Sequence, residues 1–490
     1  MRYISTRGKD RAYSTKEAII RGIAKDGGLF VPEKLNKINL SAKIKEKMDY
    51  RDFAENIISS VFDDIDRTTL RNIIEKAYSK DNFSLANNLK VEKVNENYFM
   101  ELYHGRTSAF KDFALSILPY FILLSKDENK KIAILTATSG DTGKAALEGF
   151  KNLEDTVIIV FYPTEGVSLV QKYQMMTQEG NNTYAIGIRG NFDQAQSALK
   201  EVFNDCDLEN FTKNKNIDLS SANSINIGRL VPQIVYYFYS YYVLVKKGEI
   251  KDGEEVNIAV PTGNFGNILA AYFAKLMGLN IKNFIVASNR NNVLTDFFSE
   301  GIYNANREFF KTNSPSMDIL ISSNLERLLY LKDPNLVNDY MESLKKIGQY
   351  KVSEVCKKAL KDFKGYYTDD DEVIEIISKY YKDYNYLCDT HTAVCIGAVE
   401  KYKRETSDST KIIIASTASA YKFPKAVAKA LDIDEENEFK LINKIFALTG
   451  VEIPNNLKDL DKKEIRQSQV IEKEDIKKTI MEILGEKNDN

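Results

Sequence analysis

The chain has few of the residues that bind metals or form disulfides. It contains two histidines and four cysteines in 490 residues. The cysteines (206, 356, 388 and 395) show no C-x-x-C spacing and no matching set of histidines, which argues against a zinc site or any other metal centre. We therefore expect reduced thiols in a cytoplasmic protein.

The sequence also lacks the features of nucleic-acid-binding and membrane proteins. Its net charge is −2, with lysines and acidic residues mixed throughout, and no basic stripe indicates a nucleic acid partner. The most apolar long run, 230–245, contains Pro232, Gln233 and five tyrosines, so it predicts a buried aromatic helix and not a membrane span. Residues 1–8 lack the apolar core of a signal peptide. We expect a small molecule as the partner.

A chain of this length is expected to form two or three domains. From about residue 130, short β-branched runs alternate with helix-like segments, which indicates parallel sheets covered on both faces. The predicted strands are Ile132–Thr136, Val157–Phe161, Tyr184–Ile188, Val256–Val260, Phe284–Ala287 and Lys411–Ala415.

Both ends of the chain read as helical. Ser14–Glu17 predicts the capped start of a helix, and Asp26–Gly28 predicts its stop and turn. Segment 311–384 turns helical and charged, which indicates an insertion beside the cleft. The tail after Glu436 is rich in Lys and Glu, and within it Asp475–Leu484 predicts a helix that faces solvent.

One lysine stands among small and aromatic residues. Lys111 ends the stretch Glu101–Lys111 and precedes an apolar, helix-like run, Phe113–Leu124. Such surroundings disfavour the ammonium form, which makes a free amine available for a Schiff base. The alternative is a surface lysine that pairs with Asp112.

A glycine-containing loop follows the predicted strand 256–260. Gly263–Asn267 lies between that strand and a helix-like segment, where backbone N–H groups collect a phosphate. Taken alone, two glycines and two asparagines could form an ordinary turn. Together, an amine for an aldehyde and a cradle for a phosphate suggest pyridoxal 5′-phosphate.

Two further loops follow predicted strands. Thr138–Lys144 superficially resembles a nucleotide P-loop, but Thr138 replaces the first glycine and Ala145 replaces the magnesium-binding Ser or Thr. Its short polar groups suit a substrate carboxylate or a ring oxygen, and a capped turn without ligand is the alternative. Ser416–Ser419 follows strand 411–415. Ligands lie beyond the carboxyl ends of parallel strands, so we expect these loops to share one cleft.

In their order, these segments resemble threonine synthases of the bacterial and fungal clade with an N-terminal domain, which belong to the tryptophan-synthase-β-like (fold type II) pyridoxal-phosphate enzymes. The resemblance extends from residue 1 to about 430. The segments that carry it are Tyr3–Gly8, Gly22–Pro32, Phe110–Asp112, Ala137–Gly143, Gly166–Ser168 with Gln174–Met175, Gly190–Asp193, Ser221–Asn226, Pro261–Asn267, Ser314–Ile319 and Ser323–Arg327.

The resemblance implies an α/β fold with two parallel-sheet domains around a cofactor cleft and an N-terminal, mainly helical domain. The expected boundaries are 1–92 for the N-terminal domain, 93–435 for the catalytic region (its smaller subdomain at about 125–215), and 436–490 for a helical tail. The family converts O-phospho-L-homoserine and water to L-threonine and phosphate by γ-elimination and β-addition of water, the last step of threonine biosynthesis. A phospho-lyase that releases 2-oxobutyrate is the open alternative, and family members occur as monomers and homodimers.

The resemblance also assigns residues by position. Lys111 matches the lysine that binds the cofactor, and its amine is the natural general base. Thr417 matches the hydroxyl residue beside the pyridine nitrogen. The phosphate loop matches Gly263, Asn264, Phe265, Gly266 and Asn267. Candidate substrate ligands are Ser139, Asp141 and Thr142 for the carboxylate or ring oxygen, and Asn226 and Arg229 for the substrate phosphate. An ion pair within the protein is the alternative for Arg229.

Two positions depart from the family pattern. Ser419-Ala420 stand where family members usually carry His-Pro, which leaves rate or substrate preference open. Arg106 stands where proline is common, and it either reaches the substrate phosphate or faces solvent. The intact Lys111 and glycine loop argue against a non-catalytic relative. Segment 3–32 argues against a serine/threonine dehydratase of the same fold.

Overall fold

The structure is a computed structural model that describes residues 2–38, 47–85, 87–138, 140–164, 167–190, 192–203 and 205–486. Three residues of the motifs above, Ser139, Gly166 and Asn191, lie outside these ranges. The prediction that Ser139 contacts substrate therefore stays a prediction.

The N-terminal region combines helices with a small antiparallel sheet of order β2-β1-β3. Ser14 caps the first helix as predicted, because its hydroxyl accepts a hydrogen bond from Glu17 N at 3.1 Å. This helix ends earlier than the sequence indicated, at Gly22, whose φ of 65° terminates it. The elements are β1 (Tyr3–Ser5), β2 (Arg11–Ala12), α1 (Thr15–Arg21), β3 (Phe30–Pro32), α2 (Tyr50–Val61) and α3 (Arg67–Ala77).

A six-stranded sheet forms the core of the larger domain. Its strands are β4 (Lys90–Val94), β5 (Asn97–Glu101), β10 (Val256–Pro261), β11 (Ile281–Ser288), β14 (Phe363–Tyr367) and β15 (Ile412–Ser416). Their order is β14-β11-β10-β15-β5-β4, and every pair is parallel except β4 with β5. The predicted strands of this sheet are confirmed, whereas β4, β5 and β14 were not predicted.

Helices and one short hairpin surround this sheet. The predicted apolar run after Lys111 is two helices, because the chain breaks at Ser116–Ile117 before Pro119. The elements are α4 (Asp112–Leu115), α5 (Leu118–Ser125), α10 (Ile227–Lys246), α11 (Gly266–Leu276), α12 (Val293–Glu300), β12 (Ile302–Asn304), α13 (Leu325–Lys332), α14 (Val337–Ile347), β13 (Gln349–Lys351), α15 (Glu354–Ala359), α16 (Asp370–Tyr384), α17 (Thr390–Thr406) and α18 (Pro424–Ala430).

The smaller domain has a five-stranded, fully parallel sheet of order β16-β8-β7-β6-β9. The three strands that come first along the chain, β6, β7 and β8, are those predicted from the β-branched runs. The elements are β6 (Lys131–Ala137), α6 (Asp141–Phe150), β7 (Thr156–Pro163), α7 (Leu169–Met176), β8 (Thr183–Ile188), α8 (Phe192–Phe203), α9 (Cys206–Asn214), β9 (Ile217–Ser220) and β16 (Val470–Ile471).

The aromatic run 230–245 lies within α10, which is buried along most of its length as predicted. It packs against α2 of the N-terminal region and against α11 of the large domain. None of the helices among the described residues combines the length and the apolar character that a membrane span requires.

The C-terminal tail differs from its prediction. It contains α19 (Glu438–Thr449), β16 and α20 (Ile476–Glu486). The prediction that the last helix faces solvent is wrong, because Ile476 and Ile480 are fully buried and Leu484 is 1% exposed against the small sheet. These residues recur every four positions and form one apolar stripe, which the many Lys and Glu of the tail conceal. The last helix is thus part of the small domain's core, whereas α19 packs against the core of the large domain.

This packing predicts a large difference between two neighbouring positions of α20. Ile480→Ala should lower the free energy of unfolding by about 2–5 kcal/mol, the usual cost of a cavity at a buried isoleucine. Lys478→Ala, on the exposed side of the same helix, should change it by less than about 0.5 kcal/mol. Urea unfolding followed by circular dichroism measures both. Equal unfolding midpoints for the two variants would contradict the docking of α20.

Candidate active site

The carboxyl ends of both sheets face one cleft, as the order of the loops predicted. Backbone contacts of the two residues before Lys111 hold this lysine in the cleft. Phe110 N donates to Thr417 O at 2.8 Å, and Ala109 pairs with Ala418 in an isolated antiparallel bridge. The chain before α4 is therefore attached to the loop that follows β15. This contact brings Lys111 and Thr417, which are distant in sequence, to adjacent positions.

The Lys111 amine meets a carboxylate of the small domain. Its Nζ lies 3.2 Å from Oδ2 of Asp141, the first residue of α6. The other oxygen of Asp141 accepts from Gln171 Nε2 and lies beside Lys422 Nζ, both at 2.7 Å. Lys422 is fully buried and also donates to Thr107 O at 2.9 Å. One buried carboxylate therefore lies between two lysine amines.

Burial and charge act on these groups in opposite directions. Burial lowers the pKa of Lys111, and the charge of Asp141 offsets only part of this effect. Burial alone would raise the pKa of Asp141, but the adjacent Lys111 and Lys422 hold it well below its usual value. The site therefore contains an ionised Asp141 next to a lysine whose pKa is lowered, which makes the neutral amine that a Schiff-base lysine needs easier to reach.

A third group of the large domain reaches the same carboxylate. Ser316 Oγ donates to Asp141 Oδ2 at 3.2 Å, and Ser316 N donates to His391 Nε2 at 3.2 Å. The other ring nitrogen of His391 is 2.9 Å from Asp389 Oδ2. Since Nε2 accepts a hydrogen bond, the proton of the neutral ring is on Nδ1 and points to Asp389. This buried dyad orients Ser316 toward Asp141.

The glycine loop has backbone N–H groups available for an anion. Within the described residues, no hydrogen bond from the N–H groups of 263–267 is found, and no side chain caps the start of α11. Phe265 has a left-handed conformation (φ 63°), and a Cβ at Gly263 would lie 2.9 Å from Ser316 O. Free N–H groups that converge at a helix N-terminus fit a phosphate such as that of pyridoxal phosphate.

Surrounding side chains hold this loop in place. Ser322 Oγ donates to Gly263 O at 2.6 Å, and Asn324 N donates to Asn264 O at 3.0 Å. Asn267 Oδ1 accepts from two tyrosine hydroxyls of α10, whereas its buried Nδ2 has no partner within the described residues. The loop is rigid on its protein side and retains an unused donor.

Arg229, in the first turn of α10, is buried without a counter-ion. It is 2% exposed, and its guanidinium donates to Ala222 O at 2.9 Å. Its Nε has no partner, and no carboxylate pairs with it, within the described residues. Burial lowers its pKa to about 10. The alternative of an internal ion pair is therefore not found, and the arginine retains donors for an anionic ligand.

The polar groups of the other candidate residues differ in whether they already form hydrogen bonds within the protein. Asn226 caps α10 through Gly228 N, and its amide hydrogens bind Ile19 O at 2.9 Å and Ser221 O at 3.2 Å. The hydroxyls of Thr142 and Thr417 have no hydrogen bond to the described residues. The prediction that Asn226 binds substrate phosphate stays a prediction, but its donors are already engaged.

The two departures from the family pattern have ordinary structural roles. Ser419 N donates to Ser108 O at 3.1 Å, and its hydroxyl accepts from Tyr421 N at 3.4 Å, so it caps the short turn that carries Lys422. Arg106 is exposed and donates to Asp81 O at 3.3 Å. Of the two possibilities for Arg106, the structure favours the solvent-facing one.

Sequence reasoning missed Lys422, Gln171, Ser316 and the His391–Asp389 dyad as members of the site. A signal for Lys422 was present, since it is a lysine between two aromatic residues shortly after the Ser416–Ser419 loop. Ser316 lies in the motif 314–319, which by itself has no chemical signature. His391 could be recognised only from the fold, which places it beside Ser316.

Three family descriptions match successive parts of the chain. They are "Threonine synthase N terminus" over residues 2–78, "Pyridoxal-phosphate dependent enzyme" over residues 84–418, and "Threonine synthase, C-terminal" over residues 392–480. The middle match covers more than half of the chain. The cofactor named in it is the one that the lysine and the phosphate loop fit.

Individual proteins agree with these matches. The chain is 36% identical to Saccharomyces cerevisiae threonine synthase over 88% of this chain and 89% of that one. The Brucella melitensis threonine synthase structure, solved with bound pyridoxal phosphate, is 32% identical with a TM-score of 0.85 and covers 99% and 98% of the two chains.

Homo sapiens threonine synthase-like 1 is 40% identical over 86% of this chain. The match spans only 58% of that longer protein. The three family matches, together with the yeast and Brucella relatives that align over most of their length, show that this chain belongs to the threonine synthase family of pyridoxal-phosphate-dependent enzymes.

Proposed function

We propose that this protein is a threonine synthase that converts O-phospho-L-homoserine and water to L-threonine and phosphate. Its substrate carries two anionic groups, a carboxylate and a phosphate, and its cofactor carries another phosphate. The described cleft contains the basic residues Lys111, Lys422 and Arg229, and Asp141 is the one carboxylate among the described residues that contacts both lysine amines. An excess of buried positive charge favours ligands of this kind.

Lys111 is the residue that acts on the reacting carbons in this proposal. Bound pyridoxal phosphate supplies an aldehyde for amines and a conjugated ring that accepts electrons when a substrate proton leaves. Burial lowers the pKa of the Lys111 amine, which makes its neutral form easier to reach, so the amine can take and return protons. Its fixed attachment to the end of β15 keeps the amine within reach of the same ligand throughout the reaction.

The cofactor phosphate is proposed to bind the loop formed by Gly263, Asn264, Phe265, Gly266 and Asn267. The unused N–H groups at the start of α11 support this assignment. Thr417 is proposed to lie beside the pyridine nitrogen, since its hydroxyl is unused and its backbone binds Phe110, next to Lys111. A hydroxyl in that position does not force the ring nitrogen to stay protonated.

We propose that Arg229 binds the phosphate of the substrate. This arginine is 98% buried and has no carboxylate partner among the described residues. Burying its charge destabilises the fold unless a ligand supplies the missing negative charge. Its charge is close enough to Lys111 to lower the pKa of that amine. A planar guanidinium is suited to bind two phosphate oxygens at once.

For the substrate carboxylate we propose the start of α6. Within the described residues, the N–H groups of Asp141 and Thr142 have no partner, and Thr138 Oγ1 holds Gly140 N and Gly143 N at 3.1 and 3.0 Å. The Asp141 side chain is already bound to Lys111 and Lys422. Its contribution to carboxylate binding would therefore come from the backbone, together with the Thr142 hydroxyl.

Three further points complete the proposal. The predicted boundaries at about 92 and 435 are supported by the start of the large sheet at β4 and by the end of α18 before the tail. The cytoplasm is supported by four unpaired cysteines. For the oligomeric state we keep the expectation of a monomer or a homodimer, both of which occur in the family.

The reaction is tested by its products. The holoenzyme should release threonine and phosphate in equal amounts from O-phospho-L-homoserine, since water is admitted after phosphate departs. Chromatography of amino acids and a phosphate assay measure both. Release of 2-oxobutyrate without threonine would overturn the synthase assignment in favour of the phospho-lyase.

Gly266→Ala tests the phosphate loop. A Cβ there would meet protein only at 3.6 Å, so the cofactor-free protein should unfold like the native one. Pyridoxal phosphate should nevertheless bind at least about tenfold more weakly, because the methyl group narrows the anion site. Gly263→Ala is the contrasting variant, since its Cβ would press on Ser316 O and should destabilise even the cofactor-free protein. Native cofactor affinity in Gly266→Ala would exclude this loop as the phosphate site.

Two buried arginines provide a matched pair for substrate binding. Arg229→Lys should lower kcat/KM for O-phospho-L-homoserine by about 10- to 100-fold, the range for a lost hydrogen bond to a charged group, with cofactor binding unchanged. Arg327→Lys should instead lower the free energy of unfolding, because Arg327 donates to Phe30 O, Ile225 O and Asn324 Oδ1. Steady-state kinetics and urea unfolding separate the effects. Native kcat/KM in Arg229→Lys would contradict the assignment.

A further inference from the structure

Lys422 is a second buried lysine that the reaction proposed above does not use. Its side chain is fully buried, and its Nζ contacts Asp141 Oδ1 at 2.7 Å and Thr107 O at 2.9 Å. Lysines are almost never fully buried, and a buried ion pair is a costly way to stabilise a fold. Its position next to the cofactor lysine therefore needs an explanation in terms of the site.

The two lysines are coupled through one carboxylate. Oδ2 of Asp141 lies 3.2 Å from Lys111 Nζ, and Oδ1 lies 2.7 Å from Lys422 Nζ. Gln171 and Ser316 each donate a further hydrogen bond to this carboxylate, which fixes its orientation. Because the amines share one negative charge in a buried site, the charge on either amine alters the potential at the other.

The charged groups around Lys111 come from each element packed on it. Asp141 on α6 stabilises a positive charge at its nitrogen, whereas Lys422, before α18, and Arg229, on α10, destabilise it. Asp112, on α4, is held by Thr107 N and Thr107 Oγ1 and interacts with Lys422. Of the two cations, only Lys422 also contacts Asp141 directly.

We propose that Lys422 is a positioning residue that sets the pH at which the cofactor-bound nitrogen of Lys111 holds its proton, by partly neutralising Asp141. Without Lys422, the whole charge of Asp141 would act on that nitrogen and hold the proton too firmly. With it, the nitrogen can release its proton closer to neutral pH, which proton transfer at the substrate carbons requires. This inference depends on the cofactor being bound to Lys111, but not on the identity of the substrate.

The test is a pH titration of the bound cofactor's absorption in the substrate-free holoenzyme. Protonation of the Schiff-base nitrogen changes this spectrum, so the midpoint reports its pKa. In Lys422→Met the midpoint should rise by about one pH unit or more, because a positive charge is lost while Asp141 remains. Lys422→Arg keeps the charge and should titrate close to the native protein. Asp141→Asn should shift the midpoint downward, and the double variant Lys422→Met/Asp141→Asn should return toward the native value.

Each variant can overturn the proposal. A native midpoint in Lys422→Met with the cofactor bound would make Lys422 a purely structural residue. A midpoint in Lys422→Arg that rises as far as in Lys422→Met would exclude charge as the cause. If Lys422→Met does not fold, Asp141→Asn still tests the proposal. An unchanged midpoint in that variant would show that the Asp141 carboxylate does not act on the Lys111 nitrogen, and the proposal requires that it does. No substrate is added, so failure of the enzyme to form threonine would leave these results unaffected.

Discussion

Both halves of the cleft are bonded to the buried carboxylate of Asp141. This residue begins α6 of the small domain, and its partners in the large domain are Lys111, Lys422 and Ser316. Removing a carboxylate from water costs several kcal/mol unless charges and hydrogen bonds replace the lost hydration. The three contacts supply that replacement only when the two domains lie in their observed relation. The position of Lys111 therefore depends on the same ion pairs that join the domains.

The proposed ligand sites contain donors that have no partner within the described residues. Folded proteins leave few buried donors unused, and Arg327 follows this rule with bonds to two backbone carbonyls and Asn324. Within the described residues, Arg229 instead keeps Nε free, and the loop 263–267 keeps its N–H groups free. Each of these groups is a donor, which indicates that the missing partners are anions. The proposed cofactor and substrate, pyridoxal phosphate and a phosphorylated amino acid, would supply such partners.

The sequence was sufficient for features that depend on local patterns. The β-branched runs marked the strands that carry the cleft loops, and the residues around Lys111 and Gly263 marked the cofactor chemistry. Features set by tertiary contacts were missed. Strand β14 is short and half-exposed, so its pattern is weak, and α20 appears polar by composition although its isoleucines share one face. Lys422 has no local signature of an ion pair, because Asp141 approaches it only after the two domains meet.

The N-terminal region acts on the cleft through the start of α10. Asn226 caps this helix and also binds Ile19 O, and Arg327 binds both Phe30 O and Ile225 O. Glu326, next to Arg327, accepts from Thr6 and Arg7 of the turn that follows β1. These contacts fix the residues just before Arg229 to a domain that lies outside the two parallel sheets. Since an arginine selects a phosphate by the direction of its donors, the domain that fixes the start of α10 would contribute to the proposed phosphate selectivity of Arg229 without touching the ligand.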